Sequence, residues 1–275
     1  MKSLRCAALL LFAACGNEST TEQQVEFQLT FNGSSLGCGS RVDDAADGTL
    51  PVILIDARIY VSDLRVDGTA TPFAVNAFQQ EDVALVDFEN ATNGCESGTA
   101  DTHESIEFLS AATNPVTLEF QIGVPPSVNH NDPTTAEAPL NVSAMAWPWQ
   151  RGYKYWKTDF SVGEAPSTAF NVHLGAAGCT SASPTEAPTT PCTFPNLATI
   201  RIENFDLTQD AIDIDLAKLL AGLNVSQDAG GAPGCMVAAE DGSECGPIFE
   251  ALGLDFDTGE CTDGCSAQTV FSRVQ

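Results

Sequence analysis

The sequence predicts an all-β fold: an antiparallel β-sandwich with long disulfide-stapled loops and one or two short helices. Three observations predict it. Several stretches alternate apolar and polar residues, the period-2 pattern of a strand with one buried face. Clusters of Gly, Asn, Asp and Pro separate them and supply turn conformations. Eight cysteines remain once Cys6 and Cys15 of the N-terminal segment are set aside, an even set suited to disulfide staples.

Residues 1–14 read as an export signal. Lys2 and Arg5 form a positive start, Cys6 to Ala14 is an apolar run, and Ala13-Ala14-Cys15-Gly16 offers small residues at a cleavage point. The run is too short to span a bilayer. Cysteine just after the cleavage point makes this a bacterial lipoprotein pattern, with Phe12 where Leu or Val is usual. The pattern predicts an acyl chain on Cys15, residues 15–24 as a flexible polar tether, and 25–275 as one domain. Membrane association then runs only through that lipid. Without it the chain is still exported, and either way the expected location is the periplasm or the outer membrane.

The strands follow in order. Val25, Phe27, Leu29 and Phe31 alternate with polar residues, and so do Val116, Leu118, Phe120 and Ile122. Ile200 and Ile202 alternate with Thr199, Arg201 and Glu203. Further strands are expected over Ile53 to Val66, Val83 to Phe88, Tyr153 to Phe160 and Ala169 to Leu174. Only Ala217 to Leu223 and Ile248 to Leu252 read as short helices. Strands at this spacing with one apolar face pack as two antiparallel sheets.

Without Lys2 and Arg5, nine Lys and Arg stand against 37 Asp and Glu, a formal charge of about −28 where the full chain has −26. Such a surface repels phosphate backbones and excludes nucleic-acid binding. The acidic residues are spread through loops, and solubility accounts for them. Asp255-Phe256-Asp257-Thr258-Gly259 begins like a calcium loop, but the ligand spacing stops there, so an acidic turn is expected.

Counting leaves the disulfide pairing open. The shortest loops close at the lowest entropic cost. On that basis Cys179 pairs with Cys192, Cys235 with Cys245 and Cys261 with Cys265, which leaves Cys38 with Cys95. A zinc site lacks both paired Cys-x-x-Cys spacing and a neighbouring histidine.

All three tryptophans and two of the three tyrosines fall between Trp147 and Trp156. Trp147-Pro148-Trp149 in an extended chain puts both indoles on one face, and Pro148 confines the pair to a strand start or sheet edge. An aromatic core plug is the plainer role. Arg151, Lys154 and Lys157 make a positive spot beside them; it marks a docking face or discourages edge aggregation. No catalytic motif is present: no Gly-x-Ser-x-Gly, His-Glu-x-x-His, Walker loop or Gly-x-Gly-x-x-Gly. The chain is therefore not expected to be an enzyme. His103 sits in a polar loop and reads as a solvated surface residue. His130 and His173 sit at or just after strand ends, where imidazole pairs found copper and zinc sites, although each alone is more often an ordinary hydrogen-bonded histidine.

Ordered segments then line up with a family. They are Ile59-Tyr60-Val61-Ser62-Asp63-Leu64, Val83-Ala84-Leu85-Val86-Asp87-Phe88, Gly123-Val124-Pro125 with Asn129-His130, Ala138-Pro139-Leu140-Asn141, and Met145-Ala146-Trp147-Pro148-Trp149 with Gly152-Tyr153-Lys154. His173-Leu174-Gly175 with Gly178-Cys179, then Gly234-Cys235-Met236 with Cys245-Gly246-Pro247-Ile248-Phe249, complete the set. Over nearly all of its mature length the chain resembles the MbnP-like periplasmic copper-binding proteins, a four-Cys motif family encoded beside MauG-type di-haem peroxidases. The resemblance implies that the peroxidase oxidises Trp147 to kynurenine, which binds one copper ion with His130 and His173. An indole N–H is a donor only, so the change is what makes this side chain a ligand. Trp149 and Tyr153 would lie around the ion, and Arg151, Lys154 and Lys157 would meet the partner. A monomer is expected. Two other classes remain open: a metal-free β-sandwich adhesion lipoprotein that uses its tryptophans to grip a partner, and an exported enzyme built on Asp and Glu pairs.

Overall fold

A computed structural model describes residues 20–45, 49–96, 98–148, 150–164, 167–227, 233–236 and 244–275, and in it the alternating stretches become strands. In order they are β1 (Thr21–Phe31), β2 (Ser34–Ser35), β3 (Arg41–Val42), β4 (Val52–Val66), β5 (Thr69–Ala70), β6 (Gln79–Gln80), β7 (Val83–Asp87) and β8 (Ser105–Ser110). Then follow β9 (Val116–Ile122), β10 (Trp156–Val162), β11 (Thr168–Leu174), β12 (Ala198–Phe205), β13 (Ala211–Asp215), β14 (Gly234–Met236) and β15 (Phe271–Val274). The two helices are α1 (Leu216–Leu219) and α2 (Cys245–Ala251). Asp215 caps α1 by accepting the Ala217 N–H, and the Cys235–Cys245 disulfide ties α2 to β14.

One sheet runs β15-β13-β1-β2, with β8 also on β1; the larger runs β12-β9-β4-β10-β11-β14, with β3, β5 and β7 on β4 and β6 on β7. Most pairs are antiparallel, as expected of the sandwich, while β1 pairs β13 and β11 pairs β14 in parallel. The sheets share one apolar core. Phe27 of β1 meets Phe120 of β9 edge to face at 5.8 Å, and Phe271 of β15 meets Trp156 of β10 in the same way at 5.8 Å. Trp156 is therefore a core residue, its indole N–H donated to Thr158 Oγ1.

The expected tether needs correction. β1 begins at Thr21 and pairs with β8 from Thr21 opposite Ser110 to Glu26 opposite Ser105. Ladder hydrogen bonds come from the backbone, so polar side chains at 21–24 do not prevent a strand. Residues 1–19, including Cys15 and the expected export signal, lie outside the described residues.

The feature that positions the site is the outer face of the larger sheet. Ala57, Ile59 and Val61 of β4 point into the main core, yet Asp56, Arg58, Tyr60 and Ser62 between them are buried as well. A second apolar cluster covers that face: Tyr60, Val83 and Leu85 from the sheet pack against Val124, Leu140, Met145, Tyr153 and Tyr155 of the segment between β9 and β10. Tyr60 ties the layers by donating its hydroxyl hydrogen to the Pro139 carbonyl at 2.9 Å.

Candidate metal centre

Beneath that covering segment the sheet carries charge. In register, Asp87 of β7 lies opposite Arg58 of β4, Arg58 opposite Lys157 of β10, and Lys157 opposite His173 of β11. A second row places Asp56 opposite Asp159 and Asp159 opposite Asn171. Burying charge is costly unless it is paired and hydrogen-bonded, and these groups are paired. Arg58 and Lys157 both bond Asp56, and Lys157 Nζ also donates to Asp159 Oδ2 at 2.5 Å. Burial alone would raise the Asp159 carboxyl, but the hydrogen bond and charge of His173, together with Lys157, hold it below its ordinary value. Asp87 has less support. Burial pushes it up to about 7, against the Glu89 amide it accepts from and the nearby Arg58.

The aromatic stretch departs from expectation. Trp147 lies in a tight turn and not in a strand: Ala146 bridges Tyr153, the Trp147 amide donates to Gly152 O, and Arg151 N donates to Pro148 O. Gly152 adopts φ +76°, and a Cβ there would meet Asn129 O at 2.5 Å, so both conformation and closeness require glycine. The half-buried Trp147 ring packs on Gly175, where an added Cβ would sit 2.6 Å from Cζ3. Trp149 lies outside the described residues. Tyr153 is buried, its hydroxyl donated to Leu140 O at 2.7 Å, and burial raises its phenol to about 12.

The docking spot also needs correction. Lys157 is 6% exposed and Lys154 9% exposed, so neither can face a partner, whereas Arg151 is exposed. Lys157 is buried because Asp56 and Asp159 neutralise it. Lys154 donates to Ala144 O at 2.7 Å and sits 5.5 Å from the centre of the Trp147 ring, a cation–π contact. Burial, then the nearby Lys157, lowers the Lys154 ammonium to about 8.

His173 is 6% exposed; its Nε2 lies 2.5 Å from Asp159 Oδ1, and its Nδ1 is buried with no hydrogen-bond partner among the described residues. His130 is half-buried. Its Nε2 lies 3.4 Å from Cys192 Sγ and 3.4 Å from Asn129 Nδ2, on the wall of a cavity of about 360 Å³ shared with Tyr155, Ala176 and Pro191. Asn129 Oδ1 in turn accepts the Tyr153 N–H at 3.0 Å. The His130 loop, the Trp147 turn and the end of β11 thus abut. His103 is not the solvated residue expected: it stacks on Phe78 at 4.6 Å with Nε2 3.4 Å from Glu107, and β8 draws it in. Its Nδ1 is likewise buried without a partner, but its neighbours are Phe78, Asp87 and Glu107, none of them in the tryptophan turn.

The cysteines pair as expected: Cys38–Cys95, Cys179–Cys192, Cys235–Cys245 and Cys261–Cys265. Their sulfurs are therefore not thiolate ligands, although Cys179 and Cys192 lie within ligand range of His130. Disulfides on this scale place the chain in an oxidising, extracytoplasmic compartment. The acidic stretch at 255–259 is a turn in which Thr258 donates twice to Asp255 Oδ1.

The donor set fits a soft or borderline cation. Buried polar atoms are almost always partnered, so the Nδ1 of His173, unpartnered among the described residues, is an atom that a cation could engage. Asp159 sits on the opposite nitrogen, a pairing metal-bound imidazoles commonly make. In the sequence Asp159 is one acid among many; its only signal is its place two residues after Lys157 on one strand face.

The family model described as MbnP matches residues 20–237. Among solved structures the chain is similar to MbnP from Methylosinus trichosporium, with 28% identity and a TM-score of 0.81 over 93% of this chain and 98% of that one. No curated protein matches it.

Proposed function

The chain belongs to the MbnP family, which carries a copper-related role, and from that premise we propose an exported protein that binds one copper ion through His130, His173 and Trp147 oxidised to kynurenine. A MauG-like di-haem peroxidase is the catalyst, and hydrogen peroxide is the oxidant. Two peroxide equivalents cleave the indole C2–C3 bond with release of two waters, and hydrolysis then frees C2 as formate. What remains is an aromatic amine and a ketone. Bound there, copper would supply a soft cation for storage or delivery, and the chain itself performs no turnover. Lipid on Cys15 would tether it at the outer membrane.

One observation carries this reading: the segments bearing the three side chains abut. Trp147 packs on Gly175, two residues after His173, while Asn129, beside His130, holds the amide of Tyr153 in the same turn. Trp147 is half-buried, with exposed Pro148 and Arg151 next to it, so the turn offers a partner a route to the indole.

The test is co-expression with the peroxidase, peptide mass spectrometry of the Trp147 fragment and metal analysis. The expected result is a fragment that has exchanged one carbon for one oxygen and one copper per chain. Trp147→Phe should abolish both. An unchanged fragment after exposure to active, haem-loaded partner would overturn the proposal.

A further inference from the structure

We propose that Asp159 is the positioning residue of His173, and that its carboxylate makes Nδ1 the nitrogen presented to the metal. The inference rests on the copper reading for its purpose, but the ring state it specifies exists without any ion. Asp159 and His173 lie diagonally on adjacent strands, since Lys157 is directly opposite His173 and Asp159 is two residues further along β10. Cross-strand diagonals are within reach of side chains of this length.

Both oxygens of Asp159 are committed. Oδ1 meets His173 Nε2 at 2.5 Å, and Oδ2 accepts from Lys157 Nζ at 2.5 Å. Lys157 also bonds Asp56, which Arg58 engages from the other side. An ionised carboxylate flanked by an ammonium can only accept, so Nε2 must carry the hydrogen. A neutral imidazole with its proton on Nε2 has its lone pair on Nδ1, the atom that is buried and unpartnered among the described residues. The hydrogen bond fixes the ring plane and makes Nδ1 a better donor, and losing such a partner typically weakens metal binding by about 10 to 100-fold. Lys157 acquires a role as well: it anchors the carboxylate at the far end of the same line.

The first measurement uses metal-free, wild-type protein labelled with ¹⁵N-histidine. Long-range proton–nitrogen correlation at alkaline pH, where imidazoles are neutral, should show His173 protonated on Nε2 and bare on Nδ1. The reverse pattern overturns the inference, whatever the protein does with copper. The second measurement compares wild type and Asp159→Ala after peroxidase treatment by Cu(I) titration against a competing chelator. Affinity should fall about 10 to 100-fold while the kynurenine mass in the Trp147 fragment persists; an unchanged affinity refutes the positioning role. Should Asp159→Ala fail to fold, the wild-type tautomer still decides. A wild-type chain that shows the Nε2–H tautomer yet never gains the kynurenine mass would sink the copper reading and leave the ring state standing.

Discussion

Replacing Gly175 with alanine tests the contact on which the site's assembly depends. The added methyl would lie 2.5 Å from Tyr153 O and 2.6 Å from Trp147 Cζ3. Ordinary contact needs nearly an ångström more on both sides, so the turn and the end of β11 must separate. Gly175 has no positive φ, so the backbone itself tolerates alanine and the whole cost comes from crowding. Overpacking of this kind costs about 1–3 kcal/mol, while the stiffer unfolded chain returns about 0.4–1 kcal/mol. The net loss is about 1–2 kcal/mol, or roughly 2–8 °C in the unfolding midpoint for a chain of this size. Circular dichroism melting gives the midpoint, and acrylamide quenching shows whether Trp147 has lifted off. The control is Gly37→Ala in the loop after β2, where an added Cβ meets nothing within 4 Å, φ is not positive and stability should hold or rise. A Gly175→Ala midpoint equal to wild type, with unchanged quenching, would refute the packing argument.

Three further outcomes are expected. Lys157→Met takes one cation from two buried carboxylates, leaving Asp56 to Arg58 and Asp159 to His173, and should cost about 3 kcal/mol in urea denaturation, whereas Arg151→Ser should stay within about 0.5 kcal/mol; equal effects would contradict the burial of Lys157. Burial raises Asp87 to about 7, so between its ordinary value and that point the folded chain keeps a proton the unfolded chain has released. The resulting stability is full at the acid end and lost as pH rises through 7, on the order of 4 kcal/mol at most. Asp87→Asn should flatten that slope in urea melts taken across the range, and an unchanged slope would show that another group titrates. Among the disulfides, removing Cys38–Cys95, which spans 57 residues, should cost about 4 kcal/mol, and removing Cys261–Cys265, which spans 4, about 2 kcal/mol. Double Cys→Ser variants compared by calorimetry check the order, and its reversal would mean that loop closure does not dominate.

The strands with the plainest alternation were legible in the chain itself. Val116–Ile122 is buried on every second residue, as its pattern requires. The four disulfides were legible for a related reason, because three of them close short loops. β8, β13 and β15 are not legible in the same way, although Ile212 and Ile214 alternate with Asp213 and Asp215; short strands among acidic residues look like loops until a partner covers one face.

By itself, the sequence determined the core-facing residues of the plainest strands and which segments share a family's spacing, and it ranked the cysteine pairings by loop length, because those properties depend on neighbours in the chain or on period. Only the tertiary structure decided that Lys154 and Lys157 are interior, that Trp147 sits in a turn against Gly175, and that Asp159 holds His173. The reason is physical. A side chain's charge state and freedom depend on what covers it, and the cover here is a segment some 30 residues long between β9 and β10, laid over the outer face of a sheet whose polar residues read, strand by strand, as if they met water.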